Sequence, residues 1–235
     1  MTGELFEVNG SLLKVVSLDG HRISIRKVEL KREFWKHQSC RSWKDTHRSE
    51  QNFIRRNRRR CPIFFTTNHI VFEFEETIVV SRLIEGEYFR IDQMLSSDYE
   101  TKIMVNKREL LSCIDRATLL VKEGDKKPII IHITDGSMEL KINSQIGSMK
   151  EDIDIEKEGK DILIGFNPRF LMDALRVIDD ETVDIYLVNP KAPCFIRDDK
   201  ETYTYLILPV NLRLKEGNLW KQLQSKMNLS NWDRP

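Results

Sequence analysis

"MVNKRELLSCIDRA", residues 104–117, and "GFNPRFLMDALRVI", residues 165–178, share N-x-R-x-L at a spacing of 61 residues. In each, a short β-rich stretch, "ETKIMV" or "DILIGF", runs into an asparagine placed to cap a helix. Glu109 stands three residues after Asn106, the capping-box position, and Pro168 follows Asn167 at the first helical position, where a missing N–H costs nothing. Leu110, Leu111, Ile114, Ala117 and Leu119 recur at helical spacing. The pattern predicts helices from Lys107 to about Lys122 and from Pro168 to about Ile178. Three strand-like runs follow each: "KPIIIHIT", "SMELKINS" and "GSMKEDIDIE" after the first, "TVDIYLV", "APCFIRDD" and "TYTYLILPV" after the second. A doubled strand-helix-three-strand unit predicts an α+β fold, repeated units whose helices lie on one side of antiparallel sheets.

Upstream, "ELFEV", "SLLKVVSL" and "RISIRKVEL" read as three strands, the last two joined at a "DGH" turn. "IFFTTNHIVFEFEETIVVSRLIEG" gives three more, divided at "TTNH" and "FEET". A break near Ser96, Ser97 and Asp98 divides the chain into a first domain over 1–97 and a second over 98–211, with a tail over 212–235.

A hydrophobic fraction of 40% and a charged fraction of 32% describe a soluble globular protein, and no apolar run reaches membrane-spanning length. The start, "MTGELFEVNG", lacks the basic and apolar regions of a secretory signal. Cys40, Cys61, Cys113 and Cys194 show no paired metal-site spacing, so free thiols in a cytoplasmic setting are expected. The net charge of +1 conceals an asymmetry: residues 31–62 carry 11 Lys and Arg against 3 Asp and Glu, leaving 27 against 34, or −7, for the remainder. That basic stretch ends in "FIRRNRRRCP" and invites one reading of the chain as a stand-alone nucleic-acid-binding protein with a disordered basic arm.

His21, beside Asp19 and Arg22, has no third member of a triad and no metal-type spacing. A hairpin turn in which Gly20 supplies a positive φ and an exposed functional loop both fit it. The pairs Asp152/Asp154 and Asp179/Asp180 read as solvated acids. No metal, cofactor or catalytic residue is assigned.

The strings "SLDGHRIS" (17–24), "FFTTNHIVFEF" (64–74), "LIEGEYF" (83–89), "IGFNPRFLMDAL" (164–175) and "YLILPV" (205–210) resemble the bacterial DNA polymerase processivity clamp, the beta sliding clamp or polymerase III beta subunit. The resemblance covers roughly 2–30 and 63–210. It implies a DNA-clamp fold and a non-enzymatic processivity factor: three repeated domains, closed head to tail with a second copy into a homodimeric ring around duplex DNA. This chain would begin inside the middle domain and hold the whole third one, a fragment not expected to close that ring. Implied partners are duplex DNA, bound without regard to sequence, and the replicative polymerase, clamp loader and repair proteins, docked through short linear peptides. The peptide groove, by the same resemblance, matches Gly20, His21, Arg22, Ile23, Asn167, Phe170, Leu206, Ile207, Leu208, Pro209 and Val210. Lys107, Arg108, Arg169 and Arg176 would face DNA. One wall of that groove, by the same resemblance, follows "LIEGxY", where the family often has a proline-rich turn and this chain reads "FRIDQML" over 89–95. Pro209 favours an edge position for its strand.

Clamps carry a helix with a string like "GKTLNEISKILSG" where this chain has "WKDTHRSEQNFIRRNRRRCP". Permitted codons for residues 43–62, read from the second nucleotide, yield "GKTLTEVSKILSGETEEDV". Residues 32–62 are accordingly expected to be irregular and translated out of frame. The stretch after "LPV", about 211–235, is expected to be a second such segment. All four tryptophans, Trp35, Trp43, Trp220 and Trp232, fall within these two stretches.

Overall fold

The computed structural model describes residues 3–42, 61–86, 88–89, 91–95, 98–121 and 127–212, with backbone alone over 32–42 and at 92–93. Among these residues thirteen strands form one antiparallel sheet, and from one edge to the other they begin at residues 162, 129, 137, 148, 101, 182, 194, 203, 22, 77, 69 and 63, with the strand from residue 3 on the far side of the one from 22.

The second half follows the predicted repeat. Strand β6 (Thr101–Asn106) enters helix α1 (Lys107–Thr118), and β7 (Ile129–Thr134), β8 (Ser137–Asn143) and β9 (Ser148–Gly159) follow. Strand β10 (Ile162–Phe166) enters α2 (Pro168–Arg176), and β11 (Thr182–Leu187), β12 (Cys194–Arg197) and β13 (Tyr203–Ile207) follow. The two units exchange their first strands. β10 pairs with β7, and β6 pairs with β11. Asn106 Oδ1 accepts from Glu109 N at 3.1 Å and Asn167 Oδ1 from Arg169 N at 3.0 Å, so both capping asparagines satisfy a first-turn N–H. The apolar faces of the helices, Leu110, Cys113, Ile114 and Ala117 with Leu171, Met172, Ala174 and Leu175, close over a single core with alternate residues of the strands. Leu119 falls outside that stripe, because the helix has ended and it stands 77% exposed.

The first half departs from its sequence reading. "ELFEV" and "SLLKVVSL" run together as one strand, β1 (Gly3–Leu18), paired along β2 (Arg22–Ser42). The register shifts around Gly10, whose φ of +60° lets the strand bend without reversing. β2 continues to Ser42, so the irregular stretch expected from residue 32 is strand as far as that point; residues 43–60 and 213–235 lie outside the described residues. Strands β3 (Ile63–Phe65), β4 (His69–Phe74) and β5 (Thr77–Ile84) fall where expected. Their inner faces bury Ile70 and Phe72 against Phe6, Val8 and Leu13.

The halves join by a backbone ladder. Residues 203–207 of β13 pair with 26–22 of β2, and the ladder is extended by Lys27 N to Thr202 O at 2.7 Å and Leu208 N to His21 O at 2.8 Å. β13 is therefore central, flanked by β12 and β2, and not at an edge. Pro209 is tolerated because the strand stops at Ile207; the next backbone donors are Leu208, bonded to His21, and Val210, bonded to Gly165 O at 2.8 Å.

Candidate binding groove at the domain boundary

A cavity of about 270 Å³ opens where the β1–β2 hairpin, the end of β13 and the linker between the two halves, residues 88–89 and 91–95, meet. Leu18, Gly20, His21, Arg22 and Ile23 line it from the hairpin, Leu206 and Leu208 from the end of β13, and Phe89 and Met94 from the linker. Its floor is a small apolar core that crosses the boundary: Leu5, Val16, Ile23 and Ile25 from the first half, Phe195 and Leu206 from the second, and Ile91 from a 3-10 turn of the linker. Tyr88 Oη anchors the linker to Gly3 O and Val16 O, each at 3.4 Å.

The polar side of the cavity is set by the hairpin turn. Gly20 takes φ +86°, which an L side chain would resist, and Asp19 Oδ1 accepts from His21 N at 3.1 Å. Arg22 is the best-held side chain of the group. Its Nε donates to Asp19 Oδ2 at 2.6 Å, and its Nη1 donates to Asp173 Oδ2 on α2 at 2.5 Å and to Tyr205 Oη at 3.3 Å. The guanidinium also lies 4.3 Å from the centroid of the Phe170 ring. Burial works against its charge, but the hydrogen bonds to Asp173 and Asp19 outweigh that and raise its pKa. Arg26, two repeats of the pleat along, repeats the tie: it donates to Val177 O at 3.4 Å and pairs with Asp198 at 3.7 Å.

Six of the eleven residues expected at a groove line the cavity: Gly20, His21, Arg22, Ile23, Leu206 and Leu208. Phe170 acts from behind, as the surface on which Arg22 rests. Asn167 is spent on its helix cap, and Ile207, fully buried, belongs to the second-domain core. Pro209 and Val210 are half-buried just past the strand, outside the cavity lining. Leu18 was not among the expected groove residues, and Phe89 and Met94 fall in the "FRIDQML" segment expected as one wall of the groove without being singled out. Leu18 could have been found from alternation, since it shares a face with Val16; the linker residues carry no periodic signal.

The four basic residues expected to face DNA have unequal freedom. Lys107 Nζ donates to Ile178 O at 2.6 Å, satisfying a carbonyl just past α2. Arg176 lies 3.9 Å from Asp115 on α1. Arg108 and Arg169 are exposed and enter no ion pair among the described residues. On the acidic side, Asp152 and Asp154 are exposed on β9, and Asp180 Oδ2 accepts from Asp199 N at 3.3 Å.

Residues 1–89 match the family model described as the DNA polymerase III beta subunit, central domain, and residues 92–211 match its C-terminal domain. A solved structure of a DNA polymerase III beta subunit from Eubacterium rectale is 65% identical and superposes with a TM-score of 0.84, covering 90% of this chain and 57% of that one. The DNA polymerase sliding clamp from Bacillus subtilis is 30% identical with a TM-score of 0.82, covering 89% and 56%. Among curated proteins, the beta sliding clamp of Staphylococcus aureus is 29% identical over 213 residues, 89% of this chain and 56% of that protein. The chain thus spans a little over half the length of the relatives it matches.

Proposed function

Since the chain belongs to the DNA polymerase III beta-subunit family, we propose that it carries the peptide-docking and part of the DNA-facing surface of a replication processivity clamp. It acts by tethering and not by catalysis. The observation that carries this reading is the boundary cavity: an apolar slot between Leu18, Ile23, Leu206, Leu208 and the linker, with one arginine fixed at its rim. A linear peptide with apolar anchors needs such a slot, plus a few polar groups to orient its backbone. The partners are the replicative polymerase, the loader and repair proteins, each through a short segment of that kind. Duplex DNA would meet the helix side of the sheet, with Arg108 and Arg169 making weak phosphate-directed contacts that permit sliding.

The test titrates a short peptide with two adjacent apolar anchors against the purified chain and against a Leu206→Ala/Pro209→Ala variant, by calorimetry. Saturable binding that weakens at least tenfold in the variant supports the reading. Equal binding to both, or none to either, sinks it.

A further inference from the structure

The exposed face of helix α2 is a stripe of three charges. Arg169, Asp173 and Arg176 are its only exposed residues, and spacings of four and three place them side by side along one face. Asp173 is the only acid on the helix. A carboxylate between two arginines opposes the approach of a phosphate, both by repelling it and by offering the arginines a nearer partner.

The carboxylate is drawn off that face by a cation from the other half of the chain. Asp173 Oδ2 accepts from Arg22 Nη1 at 2.5 Å, and Arg22, on the rim of the cavity, is the less exposed partner, 27% against 50%. Asp19, Tyr205 and the Phe170 ring fix the guanidinium from three further sides, so Asp173 comes to Arg22 and not the reverse. Although Arg169 and Arg176 lie one turn away on either side, Arg169 enters no ion pair among the described residues, and Arg176 has Asp115 at 3.9 Å.

Without Arg22 the nearest cations to Asp173 on its own helix are those two arginines. The released carboxylate then pairs with one of them or stands free beside the phosphates. Either outcome subtracts about one positive charge from the face. The helix itself stays in place, because Arg26 still donates to Val177 O and the β2–β13 ladder is untouched.

We propose that Asp173 is a counter-ion shared between the groove and the DNA-facing surface. While Arg22 holds it, Arg169 and Arg176 are available to phosphates; when Arg22 is withdrawn, it cancels one of them. Asp173 is thus a positioning residue for the groove arginine and a brake on DNA binding, and the rim of the groove is felt by DNA that does not touch it. The role rests on the reading of α2 as DNA-facing.

The experiment measures binding of the full chain to a labelled duplex by fluorescence anisotropy over a range of salt, at a temperature where circular dichroism shows every variant folded. Arg22→Ala should weaken binding severalfold and flatten the salt dependence by about one unit of slope, as though a phosphate contact had been deleted. Asp173→Asn, which keeps the shape and removes the charge, should bind more tightly than the natural chain. Added to Asp173→Asn, Arg22→Ala should change neither affinity nor slope. The double variant lacks the same tie across the boundary as Arg22→Ala alone, so its recovery separates lost charge control from a loosened boundary. Arg22→Ala that binds like the natural chain, Asp173→Asn that binds more weakly, or an Arg22→Ala loss of equal size in both backgrounds overturns the proposal. Arg169→Ala distinguishes the two levels of failure: if it leaves DNA binding unchanged, the DNA-facing reading falls and this role with it. If it weakens binding while Arg22 and Asp173 act independently, this role alone falls.

Discussion

Replacing Arg22 with alanine tests whether the two halves are held by side chains as well as by the strand ladder. The guanidinium is lost from two partly exposed ion pairs, with Asp19 and Asp173, each worth roughly 0.2–1 kcal/mol at such exposure. It is also lost from the Phe170 ring face, worth roughly 0.5–1 kcal/mol. The expected destabilisation is about 2 kcal/mol. In a chain of this size that lowers the melting temperature by roughly 4–8 °C. Arg22→Lys should recover less than half, because an ammonium cannot bond both carboxylates in the plane of a fork while stacking on the ring. Urea unfolding followed by circular dichroism, for Arg22→Ala, Asp173→Ala and the double variant, isolates the cross-boundary pair, for which a coupling of about 0.5–1 kcal/mol is expected. Zero coupling, or a lysine variant as stable as the natural chain, would refute the reasoning.

The two helix caps should behave alike in stability: Asn106→Ala and Asn167→Ala each lose about 1 kcal/mol in urea melts. Only the second should weaken peptide binding, since α2 holds Phe170 and Asp173 against Arg22. Glu151, whose hydrogen bonds from Arg116 hold its carboxyl below the usual range, links β9 to α1. A depressed folded-state pKa adds stability that is present above the ordinary glutamate pKa and lost as pH falls through the folded one. The gap in melting temperature between the natural chain and Glu151→Gln should therefore close as pH drops below the ordinary glutamate range. On duplex DNA, Arg108→Ala and Arg169→Ala should each flatten the salt dependence of binding by about one unit of slope. Lys107→Ala should instead lower thermal stability, because its ammonium serves Ile178 O.

Much of the second domain was legible because its signals are local. An asparagine before a periodic apolar stripe, with glutamate or proline at the right offset, states where a helix starts without reference to anything distant. The first half was less legible. "NG" between two β-rich runs is a hairpin signal, yet Gly10 serves as a bulge because β2 is long enough to pair with both runs in line. The cavity divided in the same way. "DGHRI" is a turn with its own chemistry, whereas Phe89 and Met94 carry no periodic signal and line the cavity because the linker folds back over the boundary, so resemblance could point to their segment but not to the two side chains. Lys107, placed towards DNA by resemblance, has its ammonium on a backbone carbonyl 71 residues away, a partner that no local pattern in the sequence names.

The cavity belongs to neither half. Its hairpin wall comes from the first, Leu206 and Leu208 from the second, and Phe89 and Met94 from the segment between them, so its shape exists only while the β2–β13 ladder is formed. A ligand seated there contacts both halves at once and stabilises their union by mass action, by about 2.7 kcal/mol when present at a hundred times its dissociation constant. The coupling is reciprocal: whatever tightens the boundary raises affinity for the ligand by the same free energy. Arg22 occupies the position where that exchange is made. Its charge is already engaged by Asp19 and Asp173, so on the proposed reading a bound backbone would meet its remaining N–H groups already placed, the cost of ordering them having been met in folding. A groove built across a strand ladder and pinned by one pre-placed arginine is thus suited to segments that arrive disordered, because the protein contributes the order that the peptide lacks.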